Sequence, residues 1–255
     1  MSIEKRGDSV GEHERVAKFY DDVYYKGAEA GASPSTHLKK LSTRLGVSSG
    51  WSVLDVACGA GDWLAVAAAK GATVSGIDIS ERAVSICRQR MPDGEFRTGP
   101  AEGLPFPDCT YDLVTCLGSL EHFLDQPAAL AEMVRVMKPN GKVVILVPNA
   151  GFLTYRLGLY KGTQQQAIRE TIRPLSEWQQ MLNASGLTVK ERWKDLHVLD
   201  KRWIIRAPWT LIPFRLLQVL ALTVWPLHWQ YQVYHLCERI SEGGNDVQDS
   251  DTKRS

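Results

Sequence analysis

The sequence predicts an α/β protein built on a doubly wound, largely parallel sheet. Three observations carry that prediction. Short apolar runs recur at 51–56, 73–78, 111–117 and 142–147. Segments with helical apolar spacing lie between them. A glycine loop, Gly59-Ala-Gly61, separates the first run from the first of those helices. Strands alternating with helices are joined by right-handed crossovers into a parallel sheet.

The first elements precede this rhythm. Residues 1–14 read as a flexible, charged lead-in, and helical signals start near Glu14, with Phe19, Tyr20, Val23 and Tyr24. Gly27, Gly31, Ser33 and Pro34 interrupt them. A second helix is expected over His37 to Leu45, because Leu38, Leu41 and Leu45 share a face. Together these pieces form an N-terminal helical cap.

The repeating part starts at Trp51-Ser-Val-Leu-Asp-Val, a short strand, followed by an Ala-rich helix from Trp63 to Lys70. Thr73 to Asp78 is the second strand, and Glu81 to Met91 a helix with Ser80 as its N-cap. Phe96-Arg-Thr is a weak third strand and Tyr111 to Leu117 a fourth. A helix over Pro127 to Met137 leads to a turn at Pro139-Asn-Gly141. Lys142 to Val147 is a β-branched run of the kind buried on both faces. Beyond a loop and helix region to Arg173, Ser176 to Gly186 reads as a helix and Leu187 to Glu191 as a strand. A last strand is expected near Gln232 to Glu238, and the polar stretch 241–255 reads as a disordered tail. The expected organisation is one domain over 15–240, with a core at 48–150 and a C-terminal part at 151–240.

Composition sets limits on function. Hydrophobic residues at 44% and charged residues at 23% exclude global disorder. Lys+Arg 30 against Asp+Glu 29 leaves a net charge of +1, so no global basic field drives nucleic-acid binding. The five cysteines, Cys58, Cys87, Cys109, Cys116 and Cys237, form no C-x-x-C pair and have no nearby histidines at zinc-ligand spacing. No metal site is expected, and reduced thiols point to a cytoplasmic protein.

The chemistry gathers at Val53-Leu-Asp55-Val-Ala-Cys-Gly59-Ala-Gly61-Asp62, a strand, a glycine loop and a helix start. Glycines there admit a ligand close to the backbone. The third glycine of a dinucleotide fingerprint is missing, because Leu64 stands in its place. Asp55 and Asp62 together would repel a pyrophosphate. They suit a ligand with an ammonium group and no phosphate, as in S-adenosylmethionine. Asp78, at the end of the second strand, is placed to accept from ribose hydroxyls; a charge at the following helix N-terminus is the plainer alternative.

With these residues in place, the chain resembles the class I S-adenosylmethionine-dependent methyltransferases, in particular the type 11 group of small-molecule enzymes. The resemblance runs from about Ser52 to Asn149. It rests on 53–62, Gly76-Ile-Asp78-Ile-Ser80, Ala101-Glu-Gly-Leu-Pro-Phe-Pro-Asp108, Tyr111-Asp-Leu-Val with Leu120-Glu-His122, and Arg135 to Ile145. It implies a Rossmann-like sheet of seven strands with the last antiparallel, and S-adenosyl-L-methionine as methyl donor. It also implies roles. Asp55 would hold the amino-acid end, and Gly59 and Gly61 would line the methionine portion. Asp78 would bind the ribose, with Ile79 against the adenine and Ala101 and Glu102 at its edge. Leu117 would lie beside the sulfonium, and Tyr20 or Tyr24 would close the site. The chain departs from the family at Pro100, where many members carry an acidic acceptor for the adenine amino group.

Methyl transfer from a sulfonium is an in-line displacement that depends chiefly on proximity and alignment. A base is needed only for an acceptor that is protonated at rest. His122 and Glu121 are the catalytic candidates, each with a structural alternative at the same turn. His197 could face the substrate or lie on the surface.

The segment 203–230 is apolar and aromatic, with Trp203, Trp209, Trp225 and Trp229. Pro213, Arg215, Gln218 and Pro226 argue against a membrane-spanning helix. Two readings remain, a cap over the active site and a helix lying in a membrane interface. The expected function is methyl transfer to a small or lipid-like acceptor, with peripheral membrane contact through 203–230. The alternative is a non-catalytic protein of the same fold that binds a membrane or protein partner. A nucleic-acid substrate is not expected, because no Asn/Asp-Pro-Pro-aromatic run is present for an extruded base.

Overall fold

Alternation along the first strand, β1 (Ser52–Val56), sets the architecture, because Val53 and Leu54 are both fully buried but on opposite faces. Successive side chains of a strand point to opposite sides, so a strand apolar at every position must be covered twice. Val53 packs with Leu64, Val74 and Val84, whereas Leu54 packs with Val114, Leu130 and Trp178. The computed structural model describes residues 3–27, 35–156, 158, 170–197, 205 and 208–240.

After β1 come α3 (Asp62–Ala68), β2 (Thr73–Asp78), α4 (Glu81–Arg90), β3 (Glu95–Thr98), β4 (Tyr111–Leu117), α5 (Gln126–Val136) and β5 (Met137–Pro148). Ahead of them lie α1 (Ile3–Phe19), a π-helical turn at Tyr20–Tyr24 and α2 (Thr36–Arg44). Beyond β5 stand a short α6 (Leu153–Arg156), α7 (Leu175–Ala184), β6 (Leu187–Lys194), α8 (Ile212–Val224) and β7 (Gln232–Arg239). The seven strands form one sheet in the order β3-β2-β1-β4-β5-β7-β6, and β7 runs antiparallel to both of its neighbours.

Helix ends follow the local chemistry. The Ser80 hydroxyl accepts from the Ala83 amide at 3.1 Å and caps α4, as expected. Asp125 does the same for α5 through the Ala128 amide at 3.0 Å. On the same face of the sheet as α5, the buried Trp178 of α7 donates its indole N–H to the Pro148 carbonyl at 2.8 Å.

Three expectations need correction. The first helix begins at Ile3, so most of the segment read as a lead-in belongs to it. Pro139-Asn-Gly141 is not a turn between helix and strand. It lies inside β5, where the pairing with β4 slips between Tyr111 and Leu113 and absorbs the extra residues as a bulge. The sixth strand continues past Glu191 to Lys194. The expected tail at 241–255 and Trp203 lie outside the described residues.

Candidate active site

Strands β1, β2 and β4 end at the same edge of the sheet, and a cavity of about 390 Å³ opens there. In open α/β sheets this carboxyl edge is where ligands bind. The loop after β1 forms its floor. Ala57, Gly59 and Gly61 all have positive φ, which makes a tight left-handed path between strand and helix. A Cβ on Gly59 would lie 2.7 Å from the Tyr25 hydroxyl, so the absent side chain is what keeps this wall open.

Asp78 is buried beside the loop. Its Oδ2 accepts from the Gly59 amide at 2.8 Å and its Oδ1 from the Ser80 amide at 2.9 Å. Burial pushes its pKa up to about 6 against the pull of those amides. Asp55 is buried more deeply, accepts from the Thr115 hydroxyl at 2.6 Å, and is pushed up to about 8 by burial. Asp62 lines the rim and pairs with Arg90 at 2.7 Å. The expected pair of bare charges is therefore absent. Arg90 neutralises Asp62, and Asp55 holds its proton at neutral pH until a cation arrives. Of the three aspartates, Asp78 is left as the unneutralised anion at the glycine loop.

The wall opposite comes from the N-terminal cap. The π-turn adds one residue to the helical repeat, and Tyr25 donates its amide to the Tyr20 carbonyl at 2.8 Å, five residues back. Tyr20, Tyr24 and Tyr25 form an aromatic cluster on the cavity, with Tyr20 and Tyr24 edge to face at 5.5 Å. Asp21 of the same turn accepts from the Ser80 hydroxyl at 2.5 Å and ties the cap to the Asp78 loop.

The segment after β3 forms the far end, with Ile79, Pro100, Ala101 and Glu102 on the wall. Glu102 Oε1 accepts from the amides of Leu124 at 3.0 Å and Asp125 at 3.1 Å, and Oε2 lies 3.4 Å from His13 Nε2. Arg135 fastens this segment from behind, donating to the carbonyls of Leu104 at 2.8 Å and Phe106 at 2.9 Å. Leu117 and His122 complete the wall at the end of β4.

Every candidate the sequence put forward therefore lines the cavity except Gly61, Glu121 and His197. Gly61 supports the loop from below, where a Cβ would come within 2.7 Å of Met91 and 2.8 Å of Cys87. Glu121 is buried behind the wall, with a carboxyl raised to about 8 by burial. Sequence reasoning missed Tyr25, His13 and the fastening role of Arg135. The Tyr24-Tyr25 doublet was the available signal for the first, but only the π-turn shows that both rings face inward.

The arrangement fits S-adenosylmethionine. A glycine cradle and Asp55 lie toward one end, Asp78 stands midway, and Ile79 and Ala101 offer an apolar slot at the other. The sheet order and this cleft are those of the class I S-adenosylmethionine-dependent methyltransferase fold. Residues 54–145 match the type 11 family described as "Methyltransferase domain". Demethylmenaquinone methyltransferase of Bacillus subtilis (strain 168) is 37% identical over 147 residues, which is 53% of this chain and 61% of that protein. The chain thus spans about three-fifths of the curated relative's length. Among solved structures, a putative methyltransferase from Bacillus halodurans C-125 superposes with a TM-score of 0.57 at 19% identity, covering 80% of this chain and 98% of that one. An S-adenosylmethionine-dependent methyltransferase from Mesorhizobium loti gives a TM-score of 0.59 at 16% identity, covering 78% and 96%. At these identities the likeness is one of fold. The matched domain implies S-adenosylmethionine as the methyl donor.

Proposed function

We propose that the protein transfers a methyl group from S-adenosylmethionine to an apolar, lipid-like small molecule at a membrane surface, with reduced demethylmenaquinone-type quinols as the first acceptors to test. The donor supplies an electrophilic methyl on a good leaving group. The protein's part is to hold and align. Asp78 takes the ribose hydroxyls, Asp55 the ammonium, and the tyrosine cluster excludes water from above. His122 faces the acceptor from the end of β4, and Glu121 steadies the turn behind it. The name borne by the curated relatives supports a quinone-like acceptor.

The observation that carries the membrane part is helix α8. Its less exposed side mixes Arg215 and Gln218 with Ile212, Val219 and the buried Leu222. Its outward side is apolar. Phe214 is 65% exposed, Leu217 63% and Val224 76%, and Trp209 just ahead of the helix is 75% exposed. A helix adapted to water turns polar residues outward, and α8 turns an apolar side outward. A lipid interface satisfies it, with tryptophan near the boundary. No described residue of 203–230 lines the cavity, which supports the membrane reading over a lid on the cofactor. Among the described residues no helix is long and apolar enough to cross a membrane, so the contact is peripheral.

The test is calorimetric titration with S-adenosylmethionine, S-adenosylhomocysteine and NAD in parallel, followed by incubation with demethylmenaquinol in phosphatidylglycerol vesicles. Saturable binding of the first two ligands and a product one CH2 heavier by mass spectrometry is expected. Binding of NAD alone would overturn the cofactor reading. Binding of the donor without turnover of any quinol would overturn the acceptor.

A further inference from the structure

A second polar cluster stands at the same carboxyl edge, on the acceptor side, and the cofactor reading leaves it unused. It joins three distant parts of the chain. Asp195, just past β6, is buried. Its Oδ2 holds His197 Nδ1, and its Oδ1 accepts from the His197 amide at 3.1 Å. His37, at the start of α2, places Nε2 3.2 Å from the same Oδ1 and 3.0 Å from the Tyr234 hydroxyl of β7. The Asp195 backbone is pinned on both sides, since the Gln230 side-chain amide donates to its carbonyl at 2.7 Å and its amide donates to the Gln232 carbonyl at 3.0 Å.

Position gives the cluster its meaning. Leu38, next to His37, lines the cofactor cavity. So does Gly118, and the Gln232 side-chain amide lies 3.5 Å from where a Gly118 Cβ would stand. One residue therefore separates the cavity wall from Asp195. On its other side, Lys194 donates to the carbonyls of Leu222 and Thr223, each at 3.2 Å, and so fastens the end of the outward-apolar helix α8. The cluster lies between α8 and the wall of the methyl-donor cavity.

We propose that His197, oriented by Asp195 and backed by His37 and Tyr234, accepts the hydroxyl proton of a phenolic or hydroquinone acceptor. With Nδ1 held by a buried carboxylate, the ring's other nitrogen, Nε2, is fixed as the proton acceptor, the same division of labour that a carboxylate imposes on a catalytic histidine elsewhere. The Asp195 carboxylate also holds the His197 imidazole above its ordinary range, which strengthens it as a base. The other groups facing the cluster are His37 and Tyr234, while the Lys194 ammonium is turned onto the helix carbonyls. In the step, the acceptor O–H bond breaks and its proton goes to Nε2. The freed electron pair, on oxygen or through the ring on carbon, bonds to the methyl carbon; in the carbon case the methylated carbon then loses its own proton and the oxygen takes one back, which restores the aromatic quinol. The methyl–sulfur bond breaks with its pair left on sulfur. The sulfonium charge disappears as the imidazolium charge appears, and the half-exposed ring returns its proton to water.

This assignment deepens the methyltransferase reading and rests on it, so its test includes a readout that needs no turnover. 1-Naphthol serves as the probe, added to the full chain saturated with S-adenosylhomocysteine. Expected are naphtholate absorbance at a pH at least one unit below that of free 1-naphthol, and movement of the His197 ring ¹⁵N signals toward imidazolium. His197→Asn should abolish both while leaving S-adenosylhomocysteine affinity unchanged. It should also lower kcat on demethylmenaquinol about 10²-fold or more. Asp195→Glu should retain more of the naphtholate signal than Asp195→Asn. Persistence of the naphtholate in His197→Asn, its loss in His122→Asn instead, or no ionisation of 1-naphthol at all would overturn the proposal. Failure of S-adenosylhomocysteine to bind the wild-type chain would strike the cofactor reading itself, and the two failures are read separately.

Discussion

Asp78 shows how one side chain serves both the fold and the site. Its two oxygens collect the amides of the glycine loop and of the α4 entrance, and the same carboxylate faces the cavity. Asp78→Asn keeps the volume, removes the charge and leaves one of the two amides facing an NH2 instead of an oxygen. Hydrogen bonds to charged groups contribute about 1.5–3 kcal/mol, so S-adenosylmethionine affinity should fall about 10- to 100-fold by calorimetry. Gly61→Ala probes the loop from below. A methyl at φ 76°, within 2.8 Å of the Cys87 sulfur, should destabilise the protein by about 1–3 kcal/mol in urea unfolding. Residue by residue, the sequence revealed the site's floor better than its roof. Asp55, Gly59 and Asp78 sit at fixed offsets from strands whose apolar runs are unmistakable. Tyr25, His13 and the His37–Asp195–His197 cluster arise from contacts between remote segments, which no local pattern encodes. The charge argument at Asp62 went astray for the same reason, since Arg90 reaches it from α4.

Elements carry their own lesson. Strands β1, β2 and β4 and the capped helices α4 and α5 were evident from apolar runs and Ser or Asp caps. The bulge in β5 was hidden because Pro-Asn-Gly is turn chemistry, and only pairing with β4 absorbs it. The segment that contains α8 was evident only as an apolar, aromatic stretch at 203–230, with a cap and an interfacial helix as its two readings. Periodicity does not say which side faces in, and the structure turns an apolar one out. Replacing Phe214, Leu217 and Leu220 together by Glu should abolish co-sedimentation with phosphatidylglycerol vesicles. It should leave the thermal midpoint within a few degrees of wild type, since these side chains are exposed. If the intact protein never sediments with vesicles, the membrane contact fails.

At the scale of the whole molecule, buried acids dominate the response to pH. Asp55 and Glu121 both titrate near 8 in the folded protein, well above their unfolded values. An acid with a raised pKa makes the folded state bind more protons, so stability falls as pH rises from the unfolded value through the folded one. His197, also raised, acts in the same direction through its own folded pKa. His235, lowered to about 4, opposes them only below about pH 6.5. The thermal midpoint should therefore decline between about pH 7 and 8.5. Cofactor binding should run the other way. The ammonium favours ionised Asp55, so affinity should rise over this range, and titrations in buffers of different ionisation enthalpy should detect proton release.

The insertion of β7 between β5 and β6 also fixes an order of events during biosynthesis. β6 leaves the ribosome with no partner, because the only strand it pairs with, β7, has yet to be made. At about 5–20 residues per second the wait lasts seconds. Throughout it β5 presents an open edge, and the apolar side of α8 is already synthesised. Open strand edges and exposed apolar surface are the features that recruit unwanted partners. The nascent chain is most exposed to aggregation just before Gln232 emerges, and the strand that ends this interval is the one that closes the sheet.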